Sequence, residues 1–534
     1  MLLRQQYSRS IFSGFLGILL LASACKTSPH EEEQILVPES KPVPEVVYEI
    51  FVRSFADSDG DGIGDLNGIT SRLDYIRELG ADAIWITPIL KSPTYHKYDV
   101  IDYREIDPEC GTLEDYKRLI SEAHKRGIKI IMDLVVNHTS DRHPWFLEAK
   151  KGKDNPYRNY YNWLTPHKID SLGIAEREKT GDSWEINPWH WANPGDDEKY
   201  YGLFWSGMPD LNFDNPDVRG EIYNIGAYWL KEVGVDGFRL DAAKHIYPDW
   251  EADKSVAFWQ EFREKMQAAR QDVYLIGEVW TTPDKVAPYF KGLEANFNID
   301  AGLAIQQMLK TGQDQGFIRN LVNSYNAYRK ANPGFIDAPI LSNHDQTRIG
   351  TVVNGDIRKM KLAASLLLSL PGEPYIYYGE EIGMLGDKPD EYIREPFLWQ
   401  NSAKDGIRTS WEKARYSVDG AVTDLATQKA DPNSLFNHYK TMIAYRKKEP
   451  ALANVSPANI AESKLNGNGI VAFIRPLQTD NILVIHNITG ETRQVNIKAE
   501  DQAYATLANH TAQGIRLENG VLTLPGWGSA FLKQ

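Results

Sequence analysis

The chain has 534 residues, with 59 Lys and Arg against 73 Asp and Glu, a formal net charge of −14. That balance excludes a general nucleic-acid binder, which needs a basic footprint. Hydrophobic residues at 42% and charged ones at 25% exclude a disordered or fibrous chain. The 14 Trp and 27 Tyr suit either a large core or a groove that stacks flat apolar faces of a ligand, and composition does not choose between them.

Arg4 and Arg9 precede an apolar run over residues 11–24, too short for a bilayer-spanning helix of ~20 residues. A basic start, a short apolar stretch and small residues at its end read as a secretory signal over 1–24. The end, Leu21-Ala22-Ser23-Ala24-Cys25, resembles the lipobox of bacterial lipoproteins. The resemblance implies lipidation of Cys25 and an exported protein anchored at the outer membrane, the cell surface or the periplasmic face; simple secretion is the alternative. Cys110, the other cysteine, then lacks a partner, so no intrachain disulfide is expected. Residues 26–44 carry Pro29, Pro38, Pro42 and Pro44 and the acidic run Glu31 to Glu33. Such a segment favours extended backbone and buries no core, which predicts a tether of roughly 60 Å when stretched.

Beyond it, eight β-branched or aromatic runs alternate with helical stretches, at 46–55, 83–88, 129–135, 237–242, 274–279, 295–299, 338–344 and 374–378. Amphipathic segments between them include 112–126, 217–233 and 356–370. Eight such repeats predict an α/β fold, a closed (β/α)8 TIM barrel, over 45–138 and 213–448. The gap after His138 is too long for a strand-to-helix loop, and 139–212 reads as a small inserted domain after strand 3. From 449 to 534 the runs 469–477, 481–489, 492–498 and 520–532 alternate without helical period, predicting a C-terminal β-sandwich.

In a barrel of this kind functional side chains project from the C-terminal strand ends. The third run ends in Asn137 and His138 after Asp133, the fourth carries Arg239 and Asp241 followed by Lys244 and His245, the fifth carries Glu278 before Trp280, and the seventh ends at His344 and Asp345. A single Asp at a strand end is usually a helix cap. Three carboxylates on the ends of strands four, five and seven, each near His or Arg, make that reading improbable as a set. Arg239 lies two residues before Asp241 and so points to the same side of its strand, where its fixed charge keeps that carboxylate ionised. Glu278 has no cation nearby in sequence, and beside Trp280 it is expected to keep a raised pKa.

These segments, with Met208-Pro209-Asp210-Leu211-Asn212, resemble the ordered motifs of the α-amylase family of retaining glycoside hydrolases over essentially the whole chain beyond the tether. The resemblance implies Asp241 as nucleophile, Glu278 as acid/base and Asp345 as the carboxylate that stabilises the transition state. It places Tyr98, Asp99, His138, Arg239 and His344 around the attacked sugar, His138 and His344 as donors to its hydroxyls, Tyr98 as a stacking face, and Lys244 and His245 along a glucan beyond the scissile bond. It also implies an α-glucan partner, polysaccharide or oligosaccharide, leaving the oligomeric state open. Within that family the chain reads as an endo-acting hydrolase of α-1,4 bonds. An oligo-1,6-glucosidase, neopullulanase or α-glucosidase acting on short substrates is the alternative, because the Met208 to Asn212 segment is intermediate between those forms. A catalytically dead glucan binder is disfavoured by the intact Asp241, Glu278 and Asp345, and capture of the covalent intermediate by sugar instead of water stays open.

Structural Ca2+ is expected at two places. Asp57, Asp59, Asp61 and Asp65 occupy positions 1, 3, 5 and 9 of an EF-hand-like loop, with Gly62 at the turn and the Ile63 carbonyl as a further ligand, although Gly68 stands where the bidentate Glu belongs. At the second, Asn137, Asp210 and the backbone carbonyl of His245 match the family's calcium position between barrel and insert.

Overall fold

The computed structural model describes residues 45–176, 185–401, 404–457, 459–478, 480–499 and 504–534; the expected signal, Cys25 and the expected tether up to residue 44 lie outside them. Eight parallel strands form one sheet: β1 (Val47–Ile50), β2 (Ala83–Ile86), β3 (Lys129–Leu134), β4 (Gly237–Leu240), β5 (Tyr274–Gly277), β6 (Ala295–Asn298), β7 (Ile336–Pro339) and β8 (Tyr375–Tyr377). The order is β7-β6-β5-β4-β3-β2-β1-β8, and a parallel bridge from Ile340 to Tyr375 joins β7 to β8. The sheet is the expected TIM barrel. Its strands are buried on both faces, which is why they read as continuous apolar runs.

Two runs differ from the strands they contain. The first stops being a strand at Ile50, and Val52–Phe55 is a turn of helix instead. The seventh strand begins earlier than expected, at Ile336, and after the Ile340 bridge residues 341–344 leave the sheet as a loop. The helices lie close to their predicted bounds. Leu113–Lys125 starts on a Thr112/Asp115 capping box and buries Tyr116, Leu119, Ile120 and Ala123, one face at helical spacing. The predicted 217–233 segment runs as Pro216–Tyr228 and ends in a π turn, Trp229–Val233.

Alternation decides which side chains face the lumen. Val47, Trp85, Ile131, Tyr274, Ile276, Phe297, Ala338 and Tyr375 form an inner cluster, plugged by Phe297 against Trp85 at 5.2 Å and against Tyr375 at 5.0 Å between ring centroids. Two residues further along their strands, Glu49 and Asp133 point the same way, above the plug. Within 139–212 the chain forms a three-stranded antiparallel sheet of Trp163–Leu164, Lys199–Tyr201 and Trp189–His190.

The C-terminal part has two sheets. One holds β9 (Ala461–Glu462), β10 (Ile470–Arg475), β11 (Ile482–Asn487), β16 (Ser529–Lys533) and β13 (Thr506–His510); the other holds β12 (Arg493–Asn496), β15 (Val521–Leu524) and β14 (Arg516–Glu518). Ile470, Ala472, Leu483 and Ile485 from the first pack with Val495, Leu522 and Leu524 from the second, a sandwich. The run 520–532 is two strands rather than one, divided at Pro525 to Gly528, where Trp527 adopts φ +62°.

Candidate active site

The pocket is built around one guanidinium. Arg239, on β4, is 1% exposed. Its Nη1 donates to Asp241 Oδ1 at 2.7 Å and to Asp133 Oδ1 and Oδ2 at 3.1 and 3.0 Å, and its Nη2 donates to Glu278 Oε2 at 2.5 Å. Asp133 also accepts from Trp85 Nε1 at 3.1 Å and from the Tyr98 hydroxyl at 3.2 Å. So Glu278 does have a cation beside it; sequence separation of 39 residues hid the contact. Burial still dominates, and with the negative charges of Asp241 and Asp345 it pushes the Glu278 carboxyl up to about 7 despite Arg239. Trp280 is not the cause: it is 47% exposed and turns its Nε1 to Asp300 at 3.0 Å.

Asp345 has the opposite environment. Burial alone would raise it, but His344 Nε2 at 3.1 Å and Arg394 Nη2 at 2.6 Å hold its carboxyl well below the usual range. Arg394 is anchored in turn by the His344 carbonyl at 2.8 Å and the Tyr95 hydroxyl at 2.9 Å. The residue after Asp241, Ala242, adopts a left-handed conformation with φ +48°, a strain of about 1 kcal/mol at the turn that carries the carboxylate out of the strand.

The expected sugar donors are otherwise engaged. His138 gives Nε2–H to the Tyr98 carbonyl at 3.2 Å, and its Nδ1 faces the Asn137 amide at 3.4 Å. Burial lowers its pKa, so it is a neutral prop for the Tyr98 backbone. His344 has Glu49 Oε1 at 2.7 Å on Nδ1 and the Tyr98 hydroxyl at 2.6 Å on Nε2. Tyr98 stacks on His344 with ring centroids 5.4 Å apart and planes 9° apart. Asp99 is 1% exposed and accepts from the Ser92 hydroxyl at 2.7 Å and from Thr94, so it holds the loop rather than facing the pocket. Lys244 pairs with Asp249 at 3.2 Å on the rim, and His245 lies with its ring 6.0 Å from that of Phe204.

Of the metal expectations, Asp57, Asp59 and Asp61 do converge: one carboxylate oxygen from each lies within 4.8 Å of the others. Asp57 accepts from the backbone N–H groups of Asp59, Gly60 and Gly62, at 3.1, 2.6 and 2.8 Å, folding the loop about itself. Asp65 is not part of the group. It caps the helix Leu66–Ser71, and its two oxygens accept from Ser58, Asn67 and Gly68. At the second place Asn137 Nδ2 donates directly to Asp210 Oδ2 at 3.2 Å, and Leu203 N–H to Oδ1 at 3.0 Å. Burial pushes the Asp210 carboxyl up to about 7.

Glu49, Asp133, Tyr95 and Arg394 were not singled out as site residues by sequence reasoning. A charge in the middle of an apolar strand must find a partner, and that signal was available for Glu49. Arg394 follows Asp345 by 49 residues and carries no local mark.

A (β/α)8 barrel with three carboxylates at the ends of separate strands has the groups that glycoside hydrolysis requires. Known proteins agree. The alpha amylase catalytic-domain model matches residues 49–455, and the alpha-amylase SusG C-terminal domain matches residues 470–530. Alpha-amylase 3 of Dictyoglomus thermophilum is 46% identical over 455 residues, 85% of this chain and 87% of that protein. An oligo-1,6-glucosidase of Parageobacillus thermoglucosidasius is 32% identical, covering 84% of this chain and 90% of its own. The crystal structure of an alpha-amylase from H. orenii superposes with a TM-score of 0.83 at 42% identity, covering 92% of this chain and 99% of that one. The chain belongs to the α-amylase family.

Proposed function

We propose that this enzyme cleaves internal α-1,4-glucosidic bonds of starch-like glucans by a retaining double displacement. Asp241 attacks C1 while Glu278 protonates the departing oxygen; Glu278 then takes a proton from the water that releases the glycosyl-enzyme. The observation that carries the reading is geometric: Asp241 and Glu278 meet on the Arg239 guanidinium, and Asp345 lies between His344 and Arg394. Glu278 is raised to about 7, as an acid at neutral pH needs, while Asp345 is held ionised. Both Asp241 and Glu278 touch the same guanidinium, an arrangement compact enough for a covalent intermediate. Tyr98 supplies the stacking face and Arg239 the charge under the attacked sugar.

Preference for a polymer is supported by the rim. Trp250 is 70% and Trp280 47% exposed on the loops after β4 and β5, Trp250 beside Asp249, which pairs with Lys244, and apolar ring faces suit glucose units beyond the scissile bond. The comparison of rates on long amylose, maltotriose and isomaltose tests it. Fast cleavage of amylose to mixed oligosaccharides is expected; faster attack on the trimer with glucose alone from the start, or isomaltose as the best substrate, defeats it. The oligo-1,6-glucosidase at 32% identity supports short-substrate action as the second reading.

Calcium at Asp57, Asp59 and Asp61 belongs to the same reading. Carboxylate oxygens suit a hard cation, and among the described residues no salt bridge reaches any of the three. The ion would fasten the loop after β1 and take no part in the chemistry. Chelation should therefore lower the melting temperature by mass action, and Asp59→Asn should lower it without chelator. An unchanged melting curve in excess EDTA counts against this.

Lipidation at Cys25 would hold the enzyme at a membrane on its 26–44 tether, since several acyl chains anchor stably where one does not. Among the described residues no helix is long and apolar enough to cross a membrane. Wild-type protein is expected in the membrane fraction and Cys25→Ala in the soluble or unprocessed fraction; wild-type protein found wholly soluble overturns the anchor.

A further inference from the structure

Glu49 is 1% exposed, in the middle of β1 and on its lumen side. Its Oε1 accepts from His344 Nδ1 at 2.7 Å and from the His344 backbone N–H at 3.3 Å, while Oε2 has no hydrogen-bond partner. On the opposite edge of the imidazole, Nε2 meets Asp345 Oδ2 at 3.1 Å and the Tyr98 hydroxyl at 2.6 Å. A neutral imidazole has one N–H, so it would turn a lone pair toward one of the two flanking carboxylates; only the imidazolium satisfies both.

We propose that Glu49 is a positioning residue that keeps His344 doubly protonated, and through it keeps Asp345 ionised and Tyr98 fixed against the attacked sugar. The chain of donors then has one direction. His344 donates Nδ1–H to Glu49 and shares its single Nε2–H between Asp345 and the Tyr98 hydroxyl, Tyr98 donates to Asp133, and Arg239 closes the circuit on the other side of Asp133.

The surroundings agree in sign. Burial lowers the ring's affinity for a proton, but Asp345 and then Glu49 outweigh it and raise His344 to about 10. Asp133 on β3 and Glu278 on β5 add negative charge at longer range. Arg394 on the loop beyond β8 (its Nε donates to the His344 carbonyl at 2.8 Å) and His96 oppose it, while Arg239 on β4 favours the charged form of Glu49. Trp85, edge-on at 5.5 Å, excludes water from the ring.

The inference rests on the proposed role of Asp345 but is tested without substrate, so its failure and that of the glucan reading are separable. In the full-length enzyme labelled with 15N-histidine, His344 is assigned by the resonances lost in His344→Gln. Both ring nitrogens should show the imidazolium signature at pH 8. In Glu49→Gln, which keeps shape and an acceptor oxygen, the ring should be neutral at that pH, with kcat lowered at least ~10-fold and KM little changed. Glu49→Asp should retain the imidazolium. A neutral His344 in the wild type at pH 8 overturns the proposal with no variant needed. An unaltered imidazolium in Glu49→Gln also overturns it, whatever happens to kcat. If Glu49→Gln yields no folded protein, the wild-type and Glu49→Asp titrations decide: loss of the imidazolium in Glu49→Asp, where the charge is kept, counts against it.

Discussion

Asp241→Asn and Glu278→Gln should each lower kcat at least ~10³-fold with little change in melting temperature, because a nucleophile and an acid/base have no substitute group in the pocket. Both replacements keep the shape of the side chain and an acceptor for Arg239, so the loss should fall on the chemistry. The wild-type rate has a sign to check as well. Glu278 must be protonated to act as an acid, and its carboxyl lies at about 7; kcat/KM should therefore fall as pH rises through that region. In Glu278→Gln that alkaline limb should vanish from the residual activity. Fresh hydrolysate should contain the α anomer first, as double displacement requires. Appearance of the β anomer first would remove Asp241 from its role.

The second large effect concerns Arg239. A single guanidinium offsets Asp133, Asp241 and Glu278 below the pocket, with the Trp85 ring 5.0 Å from it. Arg239→Met keeps much of the volume but leaves buried carboxylates with no counter-charge, which costs about 3–5 kcal/mol of stability near neutral pH. The loss should depend on pH. Burial already raises Asp133 to about 6 and Glu278 to about 7. Without Arg239, which lowers both, they rise further. A carboxyl whose folded pKa exceeds its unfolded one contributes stability below the unfolded value and loses it as pH rises through the folded value. Denaturant unfolding should thus show a smaller deficit at pH 5 than at pH 8. Equal deficits at the two pH values would mean that Arg239 acts through packing alone.

The barrel was legible because each strand is buried on both faces and is flanked by helices, several of them with side-chain N-caps. The boundaries failed where apolar residues continue past a strand's end for another reason. Phe51 and Phe55 extend the first run, yet Phe51 packs on Tyr95 and Phe55 on Trp399 from a helical turn. Leu341 lengthens the seventh run although it belongs to the loop that delivers His344. In the terminal sandwich, β9, β13 and β14 escaped notice because their residues are largely exposed or half-exposed and lack the apolar alternation on which the reading depends.

The pocket was legible for residues that follow strand ends in a fixed order, and less so for those that act on them. Asp65 reads as a ligand from its spacing, which suits both a cation loop and a helix cap, and the cap on Leu66–Ser71 is the role that its hydrogen bonds display. His138 follows a strand end, and its Nε2–H goes to the Tyr98 carbonyl at 3.2 Å, a partner that sequence order does not show. Arg394 could be found only from the fold, since nothing near it in the chain announces Asp345.

The five-stranded sheet of the terminal sandwich is covered twice. Ile470, Ala472, Leu483 and Ile485 face the smaller sheet, while Val471, Phe473, Val484 and Phe531 join the cluster that includes barrel helices. Arg475, fully buried, reaches across to the carbonyls of Ser369, Leu452 and Asn454 at 2.7, 3.3 and 2.7 Å. The last eighty or so residues are therefore an outer wall of the catalytic body and not a detachable module. Heat or denaturant should dismantle both in one transition, and a swap with the terminal module of a relative would have to reproduce this inner face, side chain for side chain, before any change in glucan handling could be seen.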